Sequence, residues 1–167
     1  VRWAYSNESG IAFEDAPTPK KINEIAKGEA EGDRQAAIKA FQELGRCAGD
    51  AIANALSIID GIVVIGGGIS AAHELFMPQL VDEMNRAFIS REGAAVSRME
   101  IKAFDLGNPK EKNIFIANND QEILIPLTKK KILWDPIKRT GVGITKLGTS
   151  KAVAIGAYNL ALNSLDY

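Results

Sequence analysis

The 167-residue sequence contains one cysteine, Cys47, and one histidine, His73. A single thiol excludes an internal disulfide and any multi-cysteine zinc site. Cys47 falls within a helical pattern and reads as a small buried apolar residue. Glu74 stands beside His73, but no second histidine or cysteine is near, so the ligand set a zinc ion needs is missing. No apolar run approaches the ~20 residues of a membrane-spanning helix. A net charge of −1 gives no bulk attraction to nucleic acid or to an anionic membrane. These residues show no signal-peptide pattern, internal repeat or low-complexity tract. The expectation is a cytoplasmic protein with neither nucleic-acid nor membrane partners. The first residue is Val1 rather than methionine, which leads us to expect a piece of a longer chain.

What is present fits a single domain with a real core: hydrophobic residues make up 46% and charged residues 25% of the chain. Its organising stretch is Asp60-Gly61-Ile62-Val63-Val64-Ile65-Gly66-Gly67-Gly68-Ile69-Ser70. Four β-branched residues in a row suit a strand buried on both faces of a sheet. Three glycines directly after it let the backbone turn sharply and let a ligand lie against bare main chain. The carboxyl ends of strands are where ligands bind in open α/β sheets. One glycine would suffice for a plain turn, so three favour a ligand.

Two kinds of nucleotide site end a strand in this way. Gly66, Gly68 and Ala71 match the G-x-G-x-x-G/A spacing of a dinucleotide (FAD or NAD) fold. That fold requires a second strand ending in Asp or Glu about 20 residues on, and residues 84 to 92 form no clean strand. The alternative is the sugar-kinase, actin and heat-shock ATPase group, in which strand and glycines close on the adenosine of ATP.

The rest of the chain supplies the context. Val1 to Tyr5 reads as an extended strand, and Pro17 and Pro19 bar a helix around them. A short helix over 20 to 29 places Ile22 and Ile25 on one face and ends at Gly28. Asp33 caps the longest element. In it Ala37, Phe41, Leu44, Ala48, Ala51, Ala55 and Ile58 recur at helical spacing down to Asp60, and Gly45 and Gly49 allow close packing. Ser70 caps a helix through Met77, where Pro78 starts or kinks the next piece through Phe88. Residues 89 to 98 read as loop and Met99 to Phe104 as a strand. Residues 105 to 120 read as a surface insertion around Ile114, Phe115 and Ile116. Glu122 to Pro126 and Lys131 to Trp134 read as a hairpin about a lysine-rich turn. Gly141 to Ile144 is a short strand, and Lys151 to Leu165 a last helix. Gly156 sits mid-helix, a site where a backbone or ligand pressing close would explain it.

This set of pieces resembles the C-terminal lobe of the ROK family of bacterial sugar kinases and related repressors. Three stretches bear the likeness: Gly32-Asp33 with Ala36-Ala37 and the alanine-rich helix, the glycine motif at 60 to 70, and Leu147-Gly148-Thr149-Ser150-Lys151-Ala152 followed by Ile155-Gly156-Ala157. Together they span residues 32 to 161. Residues 106 to 140 resemble the hairpin-bearing insertion of some Bacteroidetes-type members.

The resemblance implies a ribonuclease H-like lobe, a mixed sheet with flanking helices. The glycine strand should be central, with helices 33–59 and 150–165 packed on that sheet. It also implies ATP binding, with Gly66, Gly67 and Gly68 under the adenosine and Gly148, Thr149 and Gly156 closing the pocket. The reaction would be Mg²⁺-dependent transfer of the γ-phosphoryl group to a hexose such as glucose. The family's Asp-x-Gly-Gly, Asn-Asp and Glu-x-Gly-His motifs and its cysteine-rich zinc motif are absent from these residues. The hexose partner and the catalytic aspartate would thus belong to an N-terminal lobe preceding Val1, and no catalytic or metal-binding residue is assigned here. A homodimer remains open, as does a repressor-type parent, although no helix-turn-helix is present in these residues.

Overall fold

The computed structural model describes residues 1–165. Three N-terminal helices form one layer: α1 (Arg2–Ser9), α2 (Pro19–Lys27) and α3 (Arg34–Leu56). The extended reading of Val1 to Tyr5 is corrected. These residues are helical because tertiary contacts outweigh local alternation. Ala4 and Tyr5 are buried, the Tyr5 hydroxyl accepts a hydrogen bond from the Asp33 N–H at 3.2 Å, and the Arg2 guanidinium donates to the Ala16 carbonyl. Thr18 caps α2 with Pro19 as its first helical residue, and Gly28 closes it at φ 79°. The Asp33 carboxylate accepts from the Ala36 N–H at 2.9 Å and opens α3.

Strand β1 (Val63–Ile65) leads into a 3-10 turn, Gly68–Ala72, and then into α4 (His73–Met84). Pro78 neither starts nor ends a helix but lies inside α4. The small face of α3 meets α4 directly. A Cβ on Gly45 would lie 2.3 Å from the Phe76 carbonyl oxygen, and one on Gly49 would lie 2.5 Å from that of Leu80. This α3–α4 contact is the centre of the core, joined by Phe41, Met77, Leu80 and Met84.

Residues 87 to 97, partly read as loop, form a hairpin of β2 (Ala87–Ile89) and β3 (Ala95–Ser97), turned through Gly93 at φ 84°. Behind it Arg98 reaches Glu83 at 2.9 Å and pairs with Asp50, tying α3 to α4. Strand β4 (Lys102–Asp105) follows. Residues 109 to 116 are not irregular: α5 (Pro109–Ile116) is capped by Asn108. Arg139 donates to the carbonyls of Ile114, Phe115 and Ala117 at its far end. Strands β5 (Gln121–Leu124) and β6 (Lys131–Trp134) pair as an antiparallel hairpin, exposed along its length.

The main sheet is completed by β7 (Arg139–Ile144), in the order β1-β7-β4. Two expectations are corrected here. The sheet is wholly parallel rather than mixed, and β7 is its central strand while β1 lies at its edge. The alternation of strand side chains decides the second point. Val63 and Ile65 pack on the core together with Val142, but Val64 points the other way and is 66% exposed. On that outer face β7 presents Gly141, whose Cβ position is occupied by Leu106 side-chain atoms at 2.6 Å or more.

The last helix, α6 (Thr149–Asn163), is capped by Gly148 at φ 70°. Its described side chains are exposed throughout, so it does not pack on the sheet as expected. An added Cβ at Gly156 meets nothing within 4 Å, and no other part of the described chain presses on it. Gly156→Ala should therefore stabilise the protein by about 1 kcal/mol, the ordinary helix-propensity gain, read as a shift in urea midpoint at constant slope. A destabilised variant would place a partner against this turn of α6.

Cys47 is exposed rather than buried. Its thiol donates to the Glu43 carboxylate at 3.4 Å. Desolvation against the helix and that hydrogen bond hold its pKa above the ordinary value. Arg46, which would lower it, is engaged by Glu43 at 2.6 Å. Glu43→Gln removes the anion and releases the cation, and both changes favour the thiolate. Alkylation of Cys47 by iodoacetamide at pH 8 should become about threefold faster. An unchanged rate would show that Glu43 does not govern the thiol.

Candidate nucleotide site

The Gly66–Gly68 turn is held open by its backbone. Gly67 has φ 96°, which side chains rarely adopt. The Ser70 hydroxyl donates to its carbonyl at 2.6 Å and fixes the turn. A Cβ on Gly67 or Gly68 meets no atom of the protein within 4 Å, so the space in front of the turn is empty of protein.

Two hollows adjoin this turn. The larger, about 660 Å³, lies between α2 and the 3-10 turn. Phe41, Ile69, Ala71 and Ala72 give it apolar walls, and Lys20, Asn23, Glu24 and Glu29 contribute polar groups. Its size and composition suit a small organic ligand with a flat apolar body and a few polar edges. The smaller, about 310 Å³, is lined by Val64, Gly66, Gly67, Thr145 and Ala152. It joins the end of β1 to the first turn of α6, whose N-terminus presents free backbone N–H groups.

The six residues singled out by sequence fall in different places. Gly68 borders the larger hollow. Gly66 and Gly67 line the smaller one. Gly148 is the N-cap of α6 beside that hollow, and Thr149 opens the helix; the Thr149 side chain lies outside the described residues. Gly156 lines neither hollow. Sequence reasoning missed the α2 contribution of Lys20, Asn23 and Glu24, and it missed Thr145. Asp60 precedes β1, at the opposite end of the strand from the glycines.

The dinucleotide alternative fails on topology. The strand after α4 is β2, which among the described residues pairs with β3 in a separate ribbon, and β1 has β7 rather than an acid-tipped strand beside it. What remains is a parallel α/β sheet whose edge strand ends in a glycine turn between two hollows. The chain belongs to the ROK family, whose model matches residues 5–110. A crystal structure of a glucokinase from Parabacteroides distasonis superposes with a TM-score of 0.82 at 43% sequence identity, over 97% of this chain and 43% of that one. The chain thus spans less than half the length of that glucokinase. No curated protein matches the sequence. Among the described residues no helix is long and apolar enough to cross a membrane.

Proposed function

We propose that the chain is the nucleotide-holding lobe of a sugar kinase that transfers the γ-phosphoryl group of ATP to a hexose such as glucose. The observation supporting this most directly is the 660 Å³ hollow bordered by Gly68, in a ROK-family chain similar to a glucokinase. In this reading the base and ribose occupy the larger hollow. Bare backbone at Gly67 and Gly68 allows them to approach closely. The phosphates extend toward the smaller hollow, where Thr145 and the N-terminus of α6 offer donors.

Phosphoryl transfer needs charge neutralisation and a carboxylate to accept the hydroxyl proton. Among the described residues no group of three His, Cys, Asp or Glu side chains could hold a metal ion. Mg²⁺ in such sites is held largely by the phosphates, water and one or two carboxylates, and no residue of this chain is assigned to it. The proton acceptor and the sugar contacts are assigned to the part of the kinase outside this sequence.

A coupled assay with ATP and glucose tests the proposal. The full-length protein should phosphorylate glucose, whereas residues 1 to 167 alone should show no turnover. Turnover by residues 1 to 167 would overturn the division of labour. A full-length protein that binds ATP without phosphorylating any hexose would point to the regulatory branch of the family.

A further inference from the structure

We infer that the β5–β6 hairpin is a self-association surface whose occupant is the same hairpin of a second copy, joined edge to edge along β6. A two-stranded hairpin standing alone is at best marginally stable in water. Among the described residues β5 and β6 pair only with each other, yet the hairpin is apolar on both faces. By strand alternation Ile123, Ile132 and Trp134 share one face, and Leu124 and Leu133 the other. All of them are exposed, Leu133 by 71%. An exposed apolar edge strand is a template for further pairing.

The backbone decides which groups of β6 are free. The Ile125 N–H donates to the Lys130 carbonyl at 2.9 Å, next to the paired residues Leu124 and Lys131. Inward and outward groups alternate along an antiparallel ladder, so Lys130, Ile132 and Trp134 turn their backbone groups toward β5. Lys131, Leu133 and, just past the strand, Asp135 turn theirs to the open edge. Pro136 falls among the inward positions, so its missing N–H does not interrupt that edge. A twofold axis beside Leu133 uses the free groups in one register. Leu133 then meets the partner's Leu133, Ile132 meets the partner's Trp134, and Lys131 meets the partner's Asp135. Apolar side chains face apolar ones and opposite charges face each other, the combinations that stabilise cross-strand pairs. Within one copy Lys131 reaches Glu122 at 2.6 Å and Asp135 is held by Arg139, so the new pair joins two existing ion pairs. Sliding the copies until Lys131 met the partner's Lys131 would set like charges opposite, which disfavours that register.

The rest of the polypeptide is poorly placed to cover this hairpin. Residues 135–138 lead from β6 into the start of β7, so the hairpin lies at the amino ends of the parallel strands. The Gly66–Gly68 turn lies at their carboxyl ends, where the site proposed above faces the remainder of the kinase. Only this exclusion rests on that proposal.

The test is the oligomeric state of the full-length protein without nucleotide, read by light scattering and sedimentation. The wild type should be a dimer. Leu133→Lys brings two lysines face to face across the axis and should raise the dimer dissociation constant about a hundredfold, with an unchanged circular dichroism spectrum. In a Cys47→Ser background, a short bis-maleimide should link Leu133→Cys between copies but not Leu124→Cys on the far strand. A monomeric wild type, a Leu133→Lys protein that dimerises as tightly as its parent, or equal cross-linking at both positions would each overturn the inference. A monomer whose β6 amides resist hydrogen exchange would overturn it in favour of cover by the rest of the polypeptide. Failure of ATP to bind would not alter these readouts, so the two proposals fail separately.

Discussion

Gly49→Ala is expected to destabilise the protein by about 3 kcal/mol, the reverse of what alanine does in an ordinary helix. Glycine in a helix interior costs about 1 kcal/mol relative to alanine, so propensity alone favours the change. The structure opposes it. The new Cβ would lie 2.5 Å from the Leu80 carbonyl oxygen and 3.2 Å from the Leu80 carbonyl carbon. Both are backbone atoms of α4, so no rotamer change relieves the contact, and α3 and α4 must move apart. That separation loosens the packing around Phe76, Met77 and Leu80, all at most 2% exposed. Urea unfolding should show a lowered midpoint with the slope retained. Gly156→Ala, the same substitution on open α6, is the control with the opposite sign. A neutral or stabilising Gly49→Ala would mean that the two helices do not approach this closely.

The contrast between these two glycines shows what could be read in advance. The long helix was legible because Asp33 is a strong cap and small and apolar residues recur at helical spacing over most of α3. That Gly45 and Gly49 mark a close contact was legible too, but not whether helix or sheet was the partner. The α1 segment was misread because Val1 to Tyr5 alternates like a strand, and only its docking through Tyr5 makes it helical. The edge position of β1 was hidden for a related reason. Four β-branched residues suit a strand buried on both faces, yet Val64 is exposed, and the strand order depends on pairing across more than 70 residues, Val63 with Val142.

The site was half legible. The glycine turn announced itself through composition, and the structure adds its mechanism, a φ of 96° at Gly67 pinned by Ser70. The opposite wall was not legible. Asn23 and Glu24 lie more than 40 residues before the turn, and in sequence they look like the solvated face of a short amphipathic helix. Only the packing of Ile22, Ile25 and Ala26 against the helical layer brings that polar edge to the hollow. No spacing rule connects the two segments. Thr145 became part of the site through the parallel register that sets Ile65 beside Ile144.

Gly68→Val should weaken ATP binding about a hundredfold, equivalent to about 2.8 kcal/mol. Gly68 tests the turn better than Gly67. Valine at Gly67 would be strained by its positive φ even without a ligand, so lost binding there could reflect a distorted loop. Gly68 has no such backbone requirement, and an added Cβ meets no protein atom within 4 Å. The substitution therefore costs the free protein little, and melting should change by no more than about 2 °C. Its side chain would project into space that the proposed adenosine fills, and a well-packed site tolerates added bulk poorly. Sugar binding should be unaffected, because the proposal puts the sugar contacts outside this sequence. Gly107→Val, in the turn before α5, lines neither hollow and should leave ATP affinity unchanged. An unaltered ATP affinity in a folded Gly68→Val protein would show that no ligand lies against the turn and that the three glycines serve only to connect β1 to the helix that follows.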